Sequence, residues 1–153
     1  MTRTLTFAVF LLVVSAVAAT GAAFQPGAWY DTLIKPAWTP PDIAFPIVWT
    51  LLYIFIAIAG ARAWLAAGPG QRALPFGVYA LQLAANAAWS WLFFGRHLIL
   101  WGLVDIVLLL GLIIANVMVF WRLDRIAAGL LIPYGLWVLY AATLNGGILI
   151  LNS

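Results

Sequence analysis

Three sets of residues have the types and spacings of a ligand site. Gln82, Asn86, Trp89, Ser90 and Phe93 recur at helical spacing and make one polar-aromatic stripe. Trp49 and Tyr53 share a helix face with Pro46 at its mouth, and Tyr134, Trp137, Ala141, Leu144 and Asn145 make a second long stripe nearer the C-terminus. Indoles, phenols and carboxamides in this arrangement wall a cavity with aromatic surface and dot it with a few hydrogen-bonding groups. Such a cavity suits a flat, mostly apolar molecule. Tryptophans also serve as belt residues at the headgroup level. That role fits Trp64, Trp101 and Trp121, near the ends of apolar runs, better than Trp49 and Trp137.

Other chemistries are excluded or left open by the same inspection. The chain has no Cys, which removes disulfides, thiolate catalysis and cysteine-ligated metals. His97 is the single histidine, so a two-histidine haem or zinc site within one chain is ruled out, and no metal site is expected. There is no Ser-His-Asp set, carboxylate pair or phosphate-binding glycine loop. Asp105 falls well inside an apolar run, with Asn116 further along the same helical face. An intramembrane carboxylate carries protons or hydrogen-bonds a neighbouring helix, and both readings stay open here.

The elements that must position these residues follow from composition. Of 153 residues, 67% are hydrophobic and only 7% charged, whereas soluble domains carry roughly 25% charged residues. Apolar runs of about 20 residues match the ~30 Å hydrocarbon core of a bilayer. The chain reads as an all-α, multi-pass membrane protein, a single domain over 1–153. Its five transmembrane helices are expected at about 5–24, 46–66, 74–95, 98–120 and 126–151. Short connections make neighbours antiparallel and predict a compact five-helix bundle. The net charge of +3 comes from flanking arginines rather than a basic face, so no nucleic-acid partner is expected. No internal repeat of the kind found in inverted-repeat transporters is visible.

The loop over 25–45 is the exception to this lipid-soluble pattern. Residues 29–41 are too polar and proline-rich to span a bilayer and too aromatic for a disordered linker. They are expected to fold back over the helix ends as a lid. The first helix has a rival reading as a secretory signal, from Arg3 and the small residues Ala16-Val17-Ala18. Its apolar run continues to Ala23, which favours a retained span. Arg3, Arg62, Arg72, Arg122 and Arg125 fall on one side of the membrane and Lys35 and Arg96 on the other. This places the N-terminus inside and the aromatic loop outside.

The third helix carries a second face. Ala80, Ala84 and Ala88 lie opposite the amide stripe, and small residues four apart allow close approach of two helix backbones. They either pack within the chain or form a homodimer seam.

The quoted residues resemble one family. Trp29-Tyr30-x-x-Leu33-x-Lys35-Pro36-x-Trp38-x-Pro40-Pro41 and Pro46-x-x-Trp49-x-x-Leu52-Tyr53 are similar to its loop and second-helix signatures. Gln82-Leu83-x-x-Asn86-x-x-Trp89-Ser90-x-x-Phe93-Phe94 and Pro133-Tyr134-x-x-Trp137-x-x-x-Ala141-x-x-Leu144-Asn145 resemble those of its third and fifth helices. By these four ordered blocks the chain is identified as a member of the tryptophan-rich sensory protein/translocator protein family, also called peripheral-type benzodiazepine receptors. The resemblance implies a five-helix membrane protein, commonly dimeric, that binds porphyrins such as protoporphyrin IX and haem, sterols, and benzodiazepine-site drugs. It implies a pocket under the first loop made by Trp49, Tyr53, Asn86, Trp89, Trp137 and Ala141, with Trp38 helping to close it. No cofactor is required; porphyrin or haem enters as ligand. Some members degrade protoporphyrin in light through tryptophans matched by Trp49 and Trp137, the only catalytic residues the resemblance suggests.

One departure from animal members matters. Their fifth helix ends in a Leu/Val-Tyr-Lys/Arg pattern proposed to recognise cholesterol, itself a weak signature. Here the stretch reads Leu144-Asn145-Gly146-Gly147-Ile148-Leu149, without tyrosine or a following basic residue, which argues against sterol recognition by that route. Arginine and alanine richness points to a bacterial membrane. Three functions follow as expectations: a tetrapyrrole receptor or sensor that transports or sequesters its ligand, a light-dependent porphyrin-degrading enzyme, and a proton-coupled transporter using Asp105.

Overall fold

Thr2 opens the first helix: its side-chain oxygen accepts from the Leu5 backbone N–H at 3.3 Å, satisfying one of the free donors at a helix start. The computed structural model describes residues 2–153 and is helical throughout its ordered elements. Helix α1 runs Arg3–Ala23 and α2 is a five-residue helix, Ala28–Thr32, inside the aromatic loop. The remaining helices are α3 Ala44–Ala66, α4 Ala73–Ser90, α5 Ile99–Trp121 and α6 Arg125–Leu151. A π-helical turn, Trp91–Gly95, continues α4. The described residues therefore form six α-helices; the one not among the five expected transmembrane helices is Ala28–Thr32, which coils once within the loop.

Local chemistry explains the boundaries. Pro46 sits in the first turn of α3, where a missing N–H breaks no intrahelical bond. Asp124 caps α6 by accepting from the Ile126 and Ala127 N–H groups at 2.8 and 2.9 Å. Pro133 lies inside α6 without ending it, as membrane helices allow when neighbouring groups re-satisfy the freed carbonyl. At the end of α4 the Arg96 N–H reaches the Trp91 carbonyl at 2.8 Å, one residue further than in an α-helix. His97 then takes a left-handed backbone conformation, φ 58°, which turns the chain into α5.

Packing closes the long helices into a ring. α1 packs on α3 and α4, α6 packs on α3 and α5, and α5 packs on α4. One half of the ring is filled by Ile56, Tyr79, Ile113, Phe120 and Leu131, all buried. Tyr79 stacks on Phe120 with ring centroids 5.7 Å apart and donates its hydroxyl to the Ile56 carbonyl at 2.9 Å. Gly60 makes room for this: a Cβ there would fall 2.5 Å from the Phe10 ring and 2.6 Å from the Tyr79 hydroxyl. Outward faces are apolar instead of polar, with Leu12, Leu74, Met118 and Ile150 all exposed. That inversion is what a lipid surround requires.

Four helices, α1, α3, α5 and α6, are long and apolar enough to cross a membrane. α4 is not among them by composition, because Gln82, Asn86 and Ser90 lower its hydropathy. Both amides are buried. The protein is thus an integral, multi-pass helical bundle. At the end remote from the loop, Arg62 Nη2 pairs with Asp124 Oδ2 at 2.8 Å, joining α3 to the α5–α6 turn. Arg72 lies over the Trp64 ring, 4.1 Å from its centroid, and donates to the Trp64 and Ala67 carbonyls at the C-terminal end of α3.

Candidate ligand cavity

The loop-side half of the ring is hollow. A cavity of about 610 Å³ lies there, walled by α3, α4 and α6, with Ile106 and Leu109 of α5 behind, α1 along one side and the loop at its end. Binding cavities for small molecules and cofactors commonly measure about 300–1,000 Å³. Helical spacing delivers the walls: each contributing stripe turns one face of its helix inward.

Trp49 and Tyr53, one turn apart on α3, stack with centroids 5.4 Å apart. Trp89 of α4 and Phe93 of the π-helical turn stack the same way at 5.2 Å and 12° between planes. Trp137 of α6 meets Phe45 edge-on at 5.9 Å. Ala141, one turn beyond Trp137, leaves the space a larger side chain would fill. From α1, Ala18 and Gly21 line the cavity, small residues that carried no signal in the sequence.

A hydrogen-bond chain fixes the polar groups. The Tyr53 hydroxyl donates to Asn86 Oδ1, Asn86 Nδ2 donates to the Tyr134 hydroxyl, and that hydroxyl donates to Gln82 Oε1, each at 2.9 Å. Tyr134 and Gln82 are fully buried and separate the hollow half of the ring from the filled half. Nearer the loop, Trp89 Nε1 donates to Asn145 Oδ1 at 3.2 Å, and Asn145 Nδ2 donates to the Ile99 carbonyl at 3.0 Å. Trp137 differs from these: its buried indole N–H has no hydrogen-bond partner. An indole nitrogen only donates, so this wall residue retains a donor unused by the protein.

Six of the seven residues proposed from the sequence line this one cavity: Trp49, Tyr53, Asn86, Trp89, Trp137 and Ala141. Trp38 does not. It is 54% exposed, lies against Gly147 on the outer side of α6, and accepts from the Tyr140 hydroxyl through its carbonyl at 2.6 Å. The loop residues that reach the cavity are Gln25, Pro26, Tyr30, Asp31 and Asp42, with Phe45 in the first turn of α3. Tyr30 is buried against Phe93 and Phe94. Burial raises its phenol above the ordinary value, and the carboxylates of Asp42 and Asp31 push it further the same way.

The middle of the loop is fastened to α6. The Ile34 N–H donates to Asn152 Oδ1 and Asn152 Nδ2 donates back to the Ile34 carbonyl, both at 2.9 Å. Pro36 packs so closely that a Cβ on Gly147 would fall 2.5 Å from its Cγ. His97, at the α4–α5 turn, stacks on Trp29 with centroids 4.1 Å apart. Asp105 is half-buried in α5 with Oδ2 unpartnered, and it lines no part of the cavity. Asn116 donates to the Pro75 carbonyl at 3.5 Å. Ala80 and Ala84 are exposed on the outside of the ring, while Ala88 is half-buried.

Comparison with known proteins agrees with this architecture. The profile of the TspO/MBR family matches residues 7–151. The tryptophan-rich protein TspO of Chlorobaculum tepidum is 43% identical over 153 residues, covering 97% of this chain and 96% of its own. Protein CrtK of Rhodobacter capsulatus is 40% identical over 147 residues, 95% of this chain and 92% of its own. The translocator protein of Sus scrofa is 40% identical over 119 residues, 76% of this chain and 70% of its own. With a helical membrane bundle, an aromatic cavity and a family match along nearly its whole length, the chain belongs to the TspO/MBR family of membrane sensor and translocator proteins.

Proposed function

We propose that the protein is a membrane receptor or sensor that binds a flat tetrapyrrole, protoporphyrin IX or haem, in the aromatic cavity, and that it transports or sequesters this ligand. The observation that carries the reading is the convergence of Trp49, Trp89 and Trp137 on one cavity of about 610 Å³. Aromatic faces stack on a planar macrocycle. Benzodiazepine-site drugs share the flat apolar chemistry. Sterols are the less favoured class, given Leu144-Asn145-Gly146-Gly147 at the end of α6.

In this reading α4 is the fifth span. It sits between α1 and α5 in the ring and turns its amides inward, which removes the penalty of exposing them to lipid. The N-terminus faces the inside of a bacterial membrane, with the cavity at the opposite face. The exposed Ala80, Ala84 and Ala88 face forms a homodimer contact.

A second reading, light-dependent porphyrin degradation, is favoured by Trp49 and Trp137 bordering the same cavity, where both indoles stand close to a bound macrocycle. The proton-coupled transporter draws no support from the cavity, since Asp105 is not in its wall.

The test is a titration of intrinsic tryptophan fluorescence with protoporphyrin IX, in the dark and then under illumination. Saturable quenching in the dark is expected, weaker in Trp49→Phe and Trp137→Phe. Loss of porphyrin absorbance under light, slowed in the same variants, would establish the second reading. Unchanged quenching and unchanged photochemistry in both variants would remove these residues from the site.

A further inference from the structure

The chain has four acidic residues, and two of them, Asp31 and Asp42, line the loop-side end of the cavity. Among the described residues no Lys, Arg or His lines it. Two such groups stand close by without lining it: Lys35 Nζ lies over the Tyr30 ring at 4.5 Å, at the corner the aspartates share, and His97 stacks on Trp29. The formal charge of the lining itself is therefore negative, and Lys35 behind Tyr30 offsets one of the two carboxylates only in part.

The carboxylates are held in place by structure. Asp31 belongs to α2, anchored by buried Tyr30 against Phe93 and Phe94. Asp42 stands two residues before α3, and its carbonyl accepts from the Phe45 N–H at 3.3 Å. Between them, the loop is fixed to α6 through Ile34 and Asn152. Both carboxylates lie near the Tyr30 phenol, which burial first, and then the charges of Asp42 and Asp31, raise above its ordinary value.

Resting on the ligand class proposed above, we infer that the cavity selects against a negative charge at the loop-side edge of its ligand, and that Asp31 and Asp42 set this preference. The favoured ligand is a flat apolar molecule whose loop-side edge is neutral or cationic. Among porphyrins, one with masked carboxyl groups is preferred over the free diacid. Both aspartates are exposed, so the effect is moderate: roughly twofold in affinity for each pair of like charges about 8 Å apart in a water-like medium. It weakens as salt shortens the Debye length from about 30 Å at 0.01 M to about 8 Å at 0.15 M.

The experiment uses the full chain in uncharged detergent, comparing wild type with the Asp31→Asn/Asp42→Asn double variant. Dark fluorescence quenching by protoporphyrin IX and by its dimethyl ester is read at low and high salt. The double variant is expected to bind the diacid several-fold more tightly and the ester unchanged, with the gain shrinking at high salt. The ester also partitions more readily into detergent, so the decisive quantity is the change on substitution. Unchanged diacid affinity in the double variant overturns the inference. If neither porphyrin quenches, the tetrapyrrole reading itself fails, and the charge preference is then read with aminoacridine, a cation, against anthracene carboxylate, an anion. Stronger binding of the cation, lost in the double variant, keeps the inference. Equal binding of the two probes, or saturable binding of neither, overturns it.

Discussion

Asn86 Nδ2 donates to the Tyr134 hydroxyl at 2.9 Å, and this contact ties α4 to α6 across the interior of the ring. Asn86 also accepts from Tyr53, and Tyr134 donates onward to Gln82, so four side chains from three helices share one network. The cavity lies on the loop side of this network. Its depth depends on the network holding.

Tyr134→Phe should therefore destabilise the protein. The substitution keeps the ring but leaves Asn86 Nδ2 and Gln82 Oε1 without this partner. Hydrogen bonds measured within a membrane protein average about 0.6 kcal/mol, while stranding a buried polar group costs about 1–3 kcal/mol. A loss in the upper range is expected, seen as a lowered thermal midpoint in detergent. A midpoint equal to wild type would mean that the two amides re-pair or take up water.

Loop dynamics offer a second prediction. Asn152→Ala removes both hydrogen bonds to Ile34, and Gly147→Ala pushes a methyl into Pro36. Each should release the middle of the loop, raising hydrogen exchange at Ile34 while the helical amides stay protected. On ligand binding in the wild type, new protection is expected at 29–32 and 42–45, next to the cavity, more than at the fastened centre. Equal protection of the whole loop with and without porphyrin would make it a permanent cap.

Assembly provides a third. Ala84 is exposed while Gln82 and Asn86 are buried, so the outer and inner faces of α4 are separable. Ala84→Phe should break close packing between two copies and shift the protein toward monomer in analytical ultracentrifugation, with porphyrin affinity little changed. Packing rather than hydrophobicity drives association here, because lipid is as apolar as the new side chain. An unaltered assembly state would assign the alanine face to lipid.

Acid sensitivity should trace to Asp124. Burial alone would raise this carboxyl, but the Ala127 N–H, the Arg62 guanidinium and the Ile126 N–H together hold it below its ordinary value. A depressed folded-state value stabilises the protein above the unfolded value, near 3.9, and that stability is lost as pH falls through the folded one. The thermal midpoint should thus drop at strongly acidic pH. Asp124→Asn, which still caps α6 but cannot pair with Arg62, should flatten this acid limb and lower the midpoint at neutral pH. An acid limb of wild-type steepness in that variant would point to another carboxylate.

Much of this was legible in the order of residues. Membrane insertion followed from apolar runs as long as a bilayer is thick. The inward face of α4 followed from amides at helical spacing, since exposing Gln82 or Asn86 to lipid is costly. Periodicity gave the stripes that hold Trp49, Tyr53, Asn86, Trp89, Trp137 and Ala141, because it fixes which side chains share a face of one helix, and the family resemblance picked those six out of them. Helix spacing is local, and a sequence reports local geometry well.

Contacts between distant segments were decided only by tertiary structure. Trp38 was expected over the cavity, yet its carbonyl is held by Tyr140 on the outer side of α6, 102 positions away. Ala18 and Gly21 entered the wall because the ring brings α1 beside α3 and α4, and small apolar residues carry no mark of the void they border. Asp31 and Asp42, eleven residues apart, both line the one cavity, with the loop between them fastened to Asn152. Such placements depend on the closure of the ring and on where the loop is pinned, and neither is encoded in the spacing of neighbouring residues.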